Sequence, residues 1–350
     1  MPRVGRHPLK GVHEIGEFTK DITITTIIHA PTLGGYWKNY LDILDLFFSS
    51  LYRSTELPFD LMVFDNASCP EVKEYLLNMQ DSGKIQCLTL SKYNLRKTGA
   101  LNFLLSTAPG DFVAYSDCDV YFLPGWLENS IEILNTFPKA GKITAIPVAM
   151  NTSSDAFQKF FQNAVAEAVH DISIEVFTGS LVADGFINAH AASLSEPAEQ
   201  YLSRLGDRKD YLIRKSGVDA FISGADFQFT MPKRVLQAIL PFNYEIFPVK
   251  GDAIYQGILE QNLAEKGYWQ LSSTNYSVHH LGNQIPDFSK ELPWLDPASF
   301  PSGVNPEINQ LTSKNKINRE RPLSHRLISN RFTRKFLKKI YLYLYKILYE

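Results

Sequence analysis

Between Asp21 and Met150 short β-branched runs alternate with longer segments whose apolar residues recur at helical spacing, and this alternation constrains the fold more than any other feature of the chain. Ile22–Ile28 is wholly β-branched and predicts a buried strand. Leu41, Leu44, Phe48 and Leu51 then mark a helix. Phe59–Phe64 predicts a second strand, followed by a helix from Pro70, where a proline in the first turn is favourable. Lys84–Leu90, Asp111–Ser116 and Ile143–Val148 predict three more strands, separated by helices over Gly99–Ser106 and Trp126–Phe137. Strand and helix in strict alternation build a mostly parallel central sheet with helices on both faces, an α/β fold of Rossmann-like type. In such sheets ligands collect beyond the carboxyl ends of the strands, so the loops there are where chemistry is expected.

The pattern loosens further on. Helices are predicted over Asp155–His170, Arg234–Leu240 and Asp252–Lys266, the last closed by Gly267 as a terminating glycine would close it. Phe221–Met231 reads as a strand, whereas Ile172–Arg214 takes no assignment. Residues 1–20 read as a polar extension and 284–330 as an irregular linker rich in Pro, Asn and Ser. Over 331–350, Phe332, Phe336, Ile340, Leu344 and Ile347 share one helical face, and Arg331, Lys335, Lys339 and Lys346 another. This predicts a basic amphipathic helical tail, with tyrosines at 341, 343, 345 and 349 suited to a headgroup layer. Peripheral contact with an anionic membrane is the expectation, against packing on the main domain or on a second subunit.

Composition narrows the classes. The 350 residues are 45% hydrophobic and 21% charged, enough for a sizeable core, and a formal net charge of -2 gives no field to attract nucleic acid. Cys69, Cys87 and Cys118 are scattered and odd in number, which speaks against a disulfide framework and fits a cytoplasmic protein. No apolar stretch follows the N-terminus as a secretory signal would, and none reaches the roughly 18 residues of a membrane span.

Three constellations carry chemistry. Asp117-Cys118-Asp119 follows the fourth predicted strand, so two carboxylates one residue apart arrive at a strand end. Hard divalent cations such as Mn2+ or Mg2+ take carboxylate oxygens, and a cation there would neutralise a departing diphosphate. About one such pair is expected by chance in a chain of this size, read then as solvated turn aspartates; position at the ligand-binding edge favours the functional reading. Asp65 and Asn66, with Ala67 and Ser68, end the second strand, where the carboxylate either contacts a ribose or base or closes a turn. Arg96, Lys97, Gly99 and Asn102 lie in Asn94-Leu95-Arg96-Lys97-Thr98-Gly99-Ala100-Leu101-Asn102, a basic, glycine-containing helix start that receives phosphate oxygens or is simply a solvated cap.

Taken in order, these elements resemble the family 2 glycosyltransferases of GT-A fold over roughly residues 22–283. Asp65-Asn66-Ala67-Ser68 is similar to that family's D-N-A-S element, Lys97-Thr98-Gly99-Ala100-Leu101-Asn102 to its K-A-G-A-L-N element, and Asp117-Cys118-Asp119 to its D-x-D. His29-Ala30-Pro31 resembles the loop beside the nucleotide. The resemblance implies a nucleotide-sugar-binding half over 21–125, an acceptor-binding half over 126–283, and transfer of a sugar with inversion to a saccharide or lipid-linked acceptor. Val278-His279-His280-Leu281-Gly282 looks like the family's downstream histidine element, which makes His280, or less so His279, a candidate metal ligand beside Asp117 and Asp119. Lys250-Gly251-Asp252 stands where the family carries Gly-Glu-Asp, so Asp252 is either the catalytic base or a helix cap. Asp226, in Ser223-Gly224-Ala225-Asp226-Phe227, is the other candidate base, and Asp184 a turn residue of less weight.

Two rivals stand beside this reading. A nucleotidyltransferase should carry a basic glycine-rich loop directly after the first strand, and Thr32-Leu33-Gly34-Gly35 lacks the arginine and lysine. A non-catalytic sugar- or partner-binding module would explain the missing Glu before Asp252.

Overall fold

The computed structural model describes residues 21–149, 155–167, 172–177, 187, 191, 196–204, 209–242, 253–282 and 285. The chain divides into two units, 1–287 and 288–350; the second, with most of the predicted linker and all of the amphipathic tail, lies outside the described residues, as do the 1–20 extension, Asp184 and Asp252.

The β-branched run forms β1 (Ile22–Ile28), in which every residue but Ile27 is buried. It is followed by α1 (Tyr40–Ser54), β2 (Asp60–Asn66), α2 (Pro70–Asp81), β3 (Cys87–Ser91), α3 (Arg96–Thr107) and β4 (Phe112–Asp117). Next come β5 (Val120–Phe122), α4 (Trp126–Thr136), β6 (Ala140–Thr144), α5 (Asp155–Glu167), β7 (Ser173–Val176), α6 (Ala198–Arg204), β8 (Tyr211–Lys215) and β9 (Val218–Phe221). The remainder is β10 (Gln228–Pro232), α7 (Lys233–Ile239), α8 (Ala253–Glu265), β11 (Trp269–Ser273) and β12 (Val278–His280). No helix among the described residues is long and apolar enough to cross a membrane.

Ten strands form one sheet in the order β3-β2-β1-β4-β10-β6-β11-β9-β8-β7. From the pairings, β1, β2, β3, β4, β6, β8 and β11 run one way and β7, β9 and β10 the other, so the sheet is mostly parallel as expected. The pleat sends alternate side chains to opposite faces. On β2, Leu61 and Val63 join Leu44, Phe47, Leu51, Val72 and Leu76 of α1 and α2 in one core. Met62 and Phe64 join Leu101, Leu105, Val235 and Leu259 of α3, α7 and α8 in the other. Each fully buried Leu or Phe contributes about 1.5–3 kcal/mol, so the two helix layers hold the sheet from both sides.

The structure moves several boundaries and shows why. β3 begins at Cys87, not Lys84, because the Lys84 and Ile85 amides donate to the Met79 carbonyl and close α2. β6 runs over Ala140–Thr144, not Ile143–Val148: the Ala145 amide is taken by the Gln228 side chain at 2.9 Å, which ends the ladder there. The single strand predicted over Phe221–Met231 is two, β9 and β10, joined by residues 222–227. Asp226 therefore lies in a connection and not on a strand. The stretch 172–214 that took no assignment holds β7, α6 and β8, whose short, half-exposed runs carry little periodicity.

The turn from α3 into β4 allows no side chain at Gly110. A Cβ there would stand 2.6 Å from the Thr23 nitrogen and 2.9 Å from the Asp21 carbonyl, while the Gly110 amide donates to Thr23 Oγ1 at 2.9 Å. Gly110→Ala should lower stability by about 1–3 kcal/mol. Gly257→Ala, inside α8 with open space around it, should raise it by about 0.5–1 kcal/mol. Urea titration of both variants checks the opposite signs.

Candidate functional site

β1 pairs with β2 on one side and β4 on the other, all parallel, while the chain order reverses between β1 and β4. That reversal makes a crevice at the carboxyl ends of the two strands, the place where open α/β sheets bind ligands. A cleft of about 670 Å³ opens there, lined by His29, Asn66, Arg96, Lys97, Asp117 and Asp119 and walled by Tyr36, Trp37 and Tyr40.

His29 follows β1, where its backbone amide donates to the Tyr40 hydroxyl at 3.0 Å and its Nδ1 meets the Asn66 carbonyl at 2.7 Å. Asn66 ends β2 and organises the basic loop. Its Oδ1 accepts the Leu95 amide at 2.7 Å, and its Nδ2 donates to Asn94 Oδ1 at 3.1 Å. Asn94 Oδ1 also accepts the Arg96 amide at 2.7 Å. These bonds hold Arg96 at a φ of 58°, a left-handed conformation costly for a residue with a Cβ, and so set an exposed guanidinium at the N-terminus of α3. Positive backbone charge and a cation together favour an anion at this point.

Lys97, one residue on, turns inward. Its Nζ contacts both oxygens of Asp117, at 2.7 and 2.8 Å, and lies 5.4 Å from the Tyr115 ring centre. The Tyr115 hydroxyl donates to Asp117 Oδ1, and the Asp117 amide donates to the Phe227 carbonyl at 2.7 Å. Burial raises the Asp117 carboxyl above the usual range while Lys97 pulls it back. Asp119 lies beyond, its Oδ2 3.3 Å from His280 Nε2. Antiparallel pairing of β12 with β5 places His280 opposite Val120, next to Asp119, and the Leu281 amide donates to the Asp119 carbonyl at 2.6 Å. Burial lowers the His280 imidazole, but the Asp119 carboxylate outweighs it and the net displacement is upward. His279 points the other way, buried, against the Tyr276 hydroxyl.

The Asp119 carboxylate and the His280 imidazole, 3.3 Å apart, are donor types that a divalent ion takes. Among the described residues no group of three or more His, Cys, Asp and Glu converges on one ion position. Further ligands would be phosphate oxygens and water, as hard cations accept. Asp117, held through both oxygens by Lys97, would have to release the lysine to ligate.

Other predicted site residues lie away from the cleft wall. Asp65 is fully buried: Oδ1 accepts the Ser68 amide at 3.1 Å in a turn, while Oδ2 has no hydrogen-bond partner. Ala30 is tied to the same turn, through Ser68 Oγ and the Cys69 amide, and the adjoining Pro31 is exposed. Gly99 is buried within α3, and Asn102 pairs with both backbone groups of Phe242, at 2.9 and 3.0 Å. Asp226 is buried against the Lys142 ammonium. Sequence reasoning missed Tyr36, Trp37, Tyr40 and Asn94, which no periodicity marks, and Tyr115, whose position two residues before Asp117 on one strand face was the available signal.

Asn66→Ala removes three hydrogen bonds that fix the 94–96 turn. It should cost about 1–3 kcal/mol, with faster amide exchange confined to residues 94–97. Thermal unfolding and hydrogen-exchange mass spectrometry measure the two effects.

Comparison with known proteins follows the same line. The similar solved structures include a mannosyltransferase from Pyrobaculum calidifontis in complex with GDP-Man and Mn2+, at 19% identity over 38% of this chain and 36% of that one, with a TM-score of 0.30. They also include S. aureus TarS 1-349, at 12% identity over 75% and 60%, TM-score 0.39, and GalNAc-T7 with UDP, GalNAc and Mn2+, at 11% identity over 74% and 42%, TM-score 0.44. The chain thus spans less than two thirds of the length of each. No curated protein matches it significantly. Residues 37–164, from the aromatic wall of the cleft through Asp119 and β6 into α5, match the model of glycosyl transferase family 2, the family that the order of the motifs implied.

Proposed function

We propose that this protein is a glycosyltransferase that moves a sugar from a nucleoside-diphosphate donor to an acceptor hydroxyl, with inversion and with a divalent cation. The observation that carries this reading is the cleft at the β1/β4 reversal, where Asp119, Arg96 and the N-terminus of α3 converge within the segment that matches the family. A diphosphate needs positive charge on several oxygens at once, and a carboxylate can join it only through a cation.

In this reading Asp119 and His280 would hold Mn2+ or Mg2+, which supplies charge neutralisation as the diphosphate departs. Arg96 and the α3 N-terminus bind the same diphosphate from the other side and strengthen their hold as negative charge grows on it. Lys97 fixes the Asp117 carboxylate in one rotamer, so the D-x-D backbone is set before substrate arrives. Tyr36, Trp37 and Tyr40 wall the cleft and limit water at the anomeric carbon. The acceptor oxygen attacks that carbon opposite the diphosphate, the leaving oxygen takes the bonding electrons, and a carboxylate takes the hydroxyl proton. Asp252 is assigned that proton, because the other candidate, Asp226, is only 5% exposed, faces the Lys142 ammonium and does not line the cleft.

Asp119→Asn should lower donor turnover by about 10²–10³-fold with the fold intact by circular dichroism. EDTA should abolish activity and Mn2+ restore it; equal rates in EDTA and Mn2+ would sink the metal-assisted reading. Asp252→Asn should lower kcat by about 10²–10⁴-fold and leave the donor KM nearly unchanged. Steady-state kinetics across UDP-, GDP- and dTDP-sugars supply the measurement, and an unchanged kcat removes Asp252 from the role.

A further inference from the structure

Lys142 is a fully buried lysine in the middle of the sheet, on β6, with its ammonium against the Asp226 carboxylate and 5.3 Å from the Phe229 ring centre. A charged pair this deep is expensive to bury, and core packing alone would be served as well by apolar residues. The pair lies instead where it controls the 222–227 connection. That connection is fastened on two sides: Thr144 Oγ1 exchanges hydrogen bonds with the Ala225 amide and carbonyl, at 3.0 and 3.2 Å, and Ser223 Oγ meets Ser272 Oγ at 2.6 Å. Gly224 is pressed so close to Gln270 that a Cβ would stand 2.5 Å from its Cγ. Gln270 in turn donates to Glu260 on α8 at 3.2 Å, which brings a second carboxylate toward Lys142. The residue after Asp226 is Phe227, and it meets two residues of the candidate site. Its carbonyl accepts the Asp117 amide at 2.7 Å, and its ring lies 5.2 Å from the His280 ring.

We infer that the buried Lys142–Asp226 ion pair is a positioning device for the active site: it fixes Phe227 so that one residue sets both the D-x-D backbone at Asp117 and the imidazole of His280. Lys142 and Asp226 are positioning residues, and neither touches the cleft wall. The effect follows from geometry. Asp117 ends β4, where its amide needs an acceptor, and the connection just before β10 supplies it only if residue 227 is held level with the strand end. His280 reaches Asp119 from the β5–β12 ribbon, which is joined to the end of β6 through the Ser277 amide and the Ala145 carbonyl at 3.0 Å, and the Phe227 ring packs beside the imidazole at the ribbon's end. The inference rests on the glycosyl-transfer reading for its kinetic consequence, but its structural consequence is independent of any activity.

The test uses the full chain with Asp226→Asn, which keeps size and an acceptor for Lys142 but removes the charge, and the double variant Lys142→Met/Asp226→Leu, which replaces the pair with apolar side chains and so avoids a stranded buried charge. Two readouts are taken: hydrogen exchange over residues 112–119, and kcat, donor KM and the Mn2+ concentration for half-maximal rate. The expected result is a folded double variant in which the Asp117 amide exchanges at least about tenfold faster while Val113–Tyr115 keep their protection. Its kcat should fall by about 10–100-fold and its Mn2+ requirement rise, with Asp226→Asn intermediate in both. Faster exchange at Asp117 without turnover in the wild type would uphold the positioning role and count against the glycosyl-transfer reading. Unchanged Asp117 exchange and Mn2+ requirement in a folded double variant would overturn the positioning role, as would loss of kcat in Asp226→Asn with Asp117 exchange and Mn2+ requirement unmoved, the behaviour of a catalytic base.

Discussion

Parallel pairing of β1 with β2 and with β4 is the interaction on which the rest depends. It places His29, Asn66 and Asp117 at one edge of the sheet, because parallel strands end on the same side. β1 can sit between two partners only because both its faces are covered, by α1 and α2 on one side and by α3 on the other, and its β-branched residues suit that burial. Once the edge exists, the reversal of chain order between β1 and β4 leaves the crevice, and the loops that follow each strand have nowhere to converge but there.

The cleft is held by polar contacts that are costly if any is lost. Asn66 alone satisfies three groups of the 94–96 turn, and Arg96 keeps a left-handed backbone only while those bonds persist. Lys97 and Asp117 compensate each other where neither is fully hydrated, with Tyr115 completing the carboxylate's shell. On the far side, Asp119 and His280 come from segments more than a hundred residues apart in sequence and meet through the β5–β12 ribbon. A frame of this kind suits the departure of a diphosphate proposed for it, because donors already in place need not reorganise as negative charge develops there.

The two halves of the sheet differ in how strongly the sequence announces them. The strands of the β3-β2-β1-β4 half follow from buried, β-branched or alternating runs bounded by clear helix starts such as Pro70. In the other half, long-range polar contacts set the boundaries. Gln228 reaches across to end β6, and the Ser223–Ser272 and Lys142–Asp226 contacts pull residues 222–227 out of what reads as one continuous strand. A pattern rule sees apolar spacing and cannot see a side chain that arrives from another strand.

The sequence by itself determined the α/β alternation, the strand-end location of Asp65, Asn66, Asp117 and Asp119, and the helix start that carries Arg96 and Lys97, because each of these is written in local periodicity, turn chemistry and motif order. It also limited the adjacent histidines to opposite faces of an extended segment. Only the tertiary structure decided that His280 and not His279 faces Asp119, that Lys97 engages Asp117, that Asn102 serves the Phe242 backbone, and that Asp226 lies buried against Lys142. Each of those outcomes is a pairing between residues distant in sequence, and such pairings follow from how the sheet and its ribbon come together in space, which no local window of residues records.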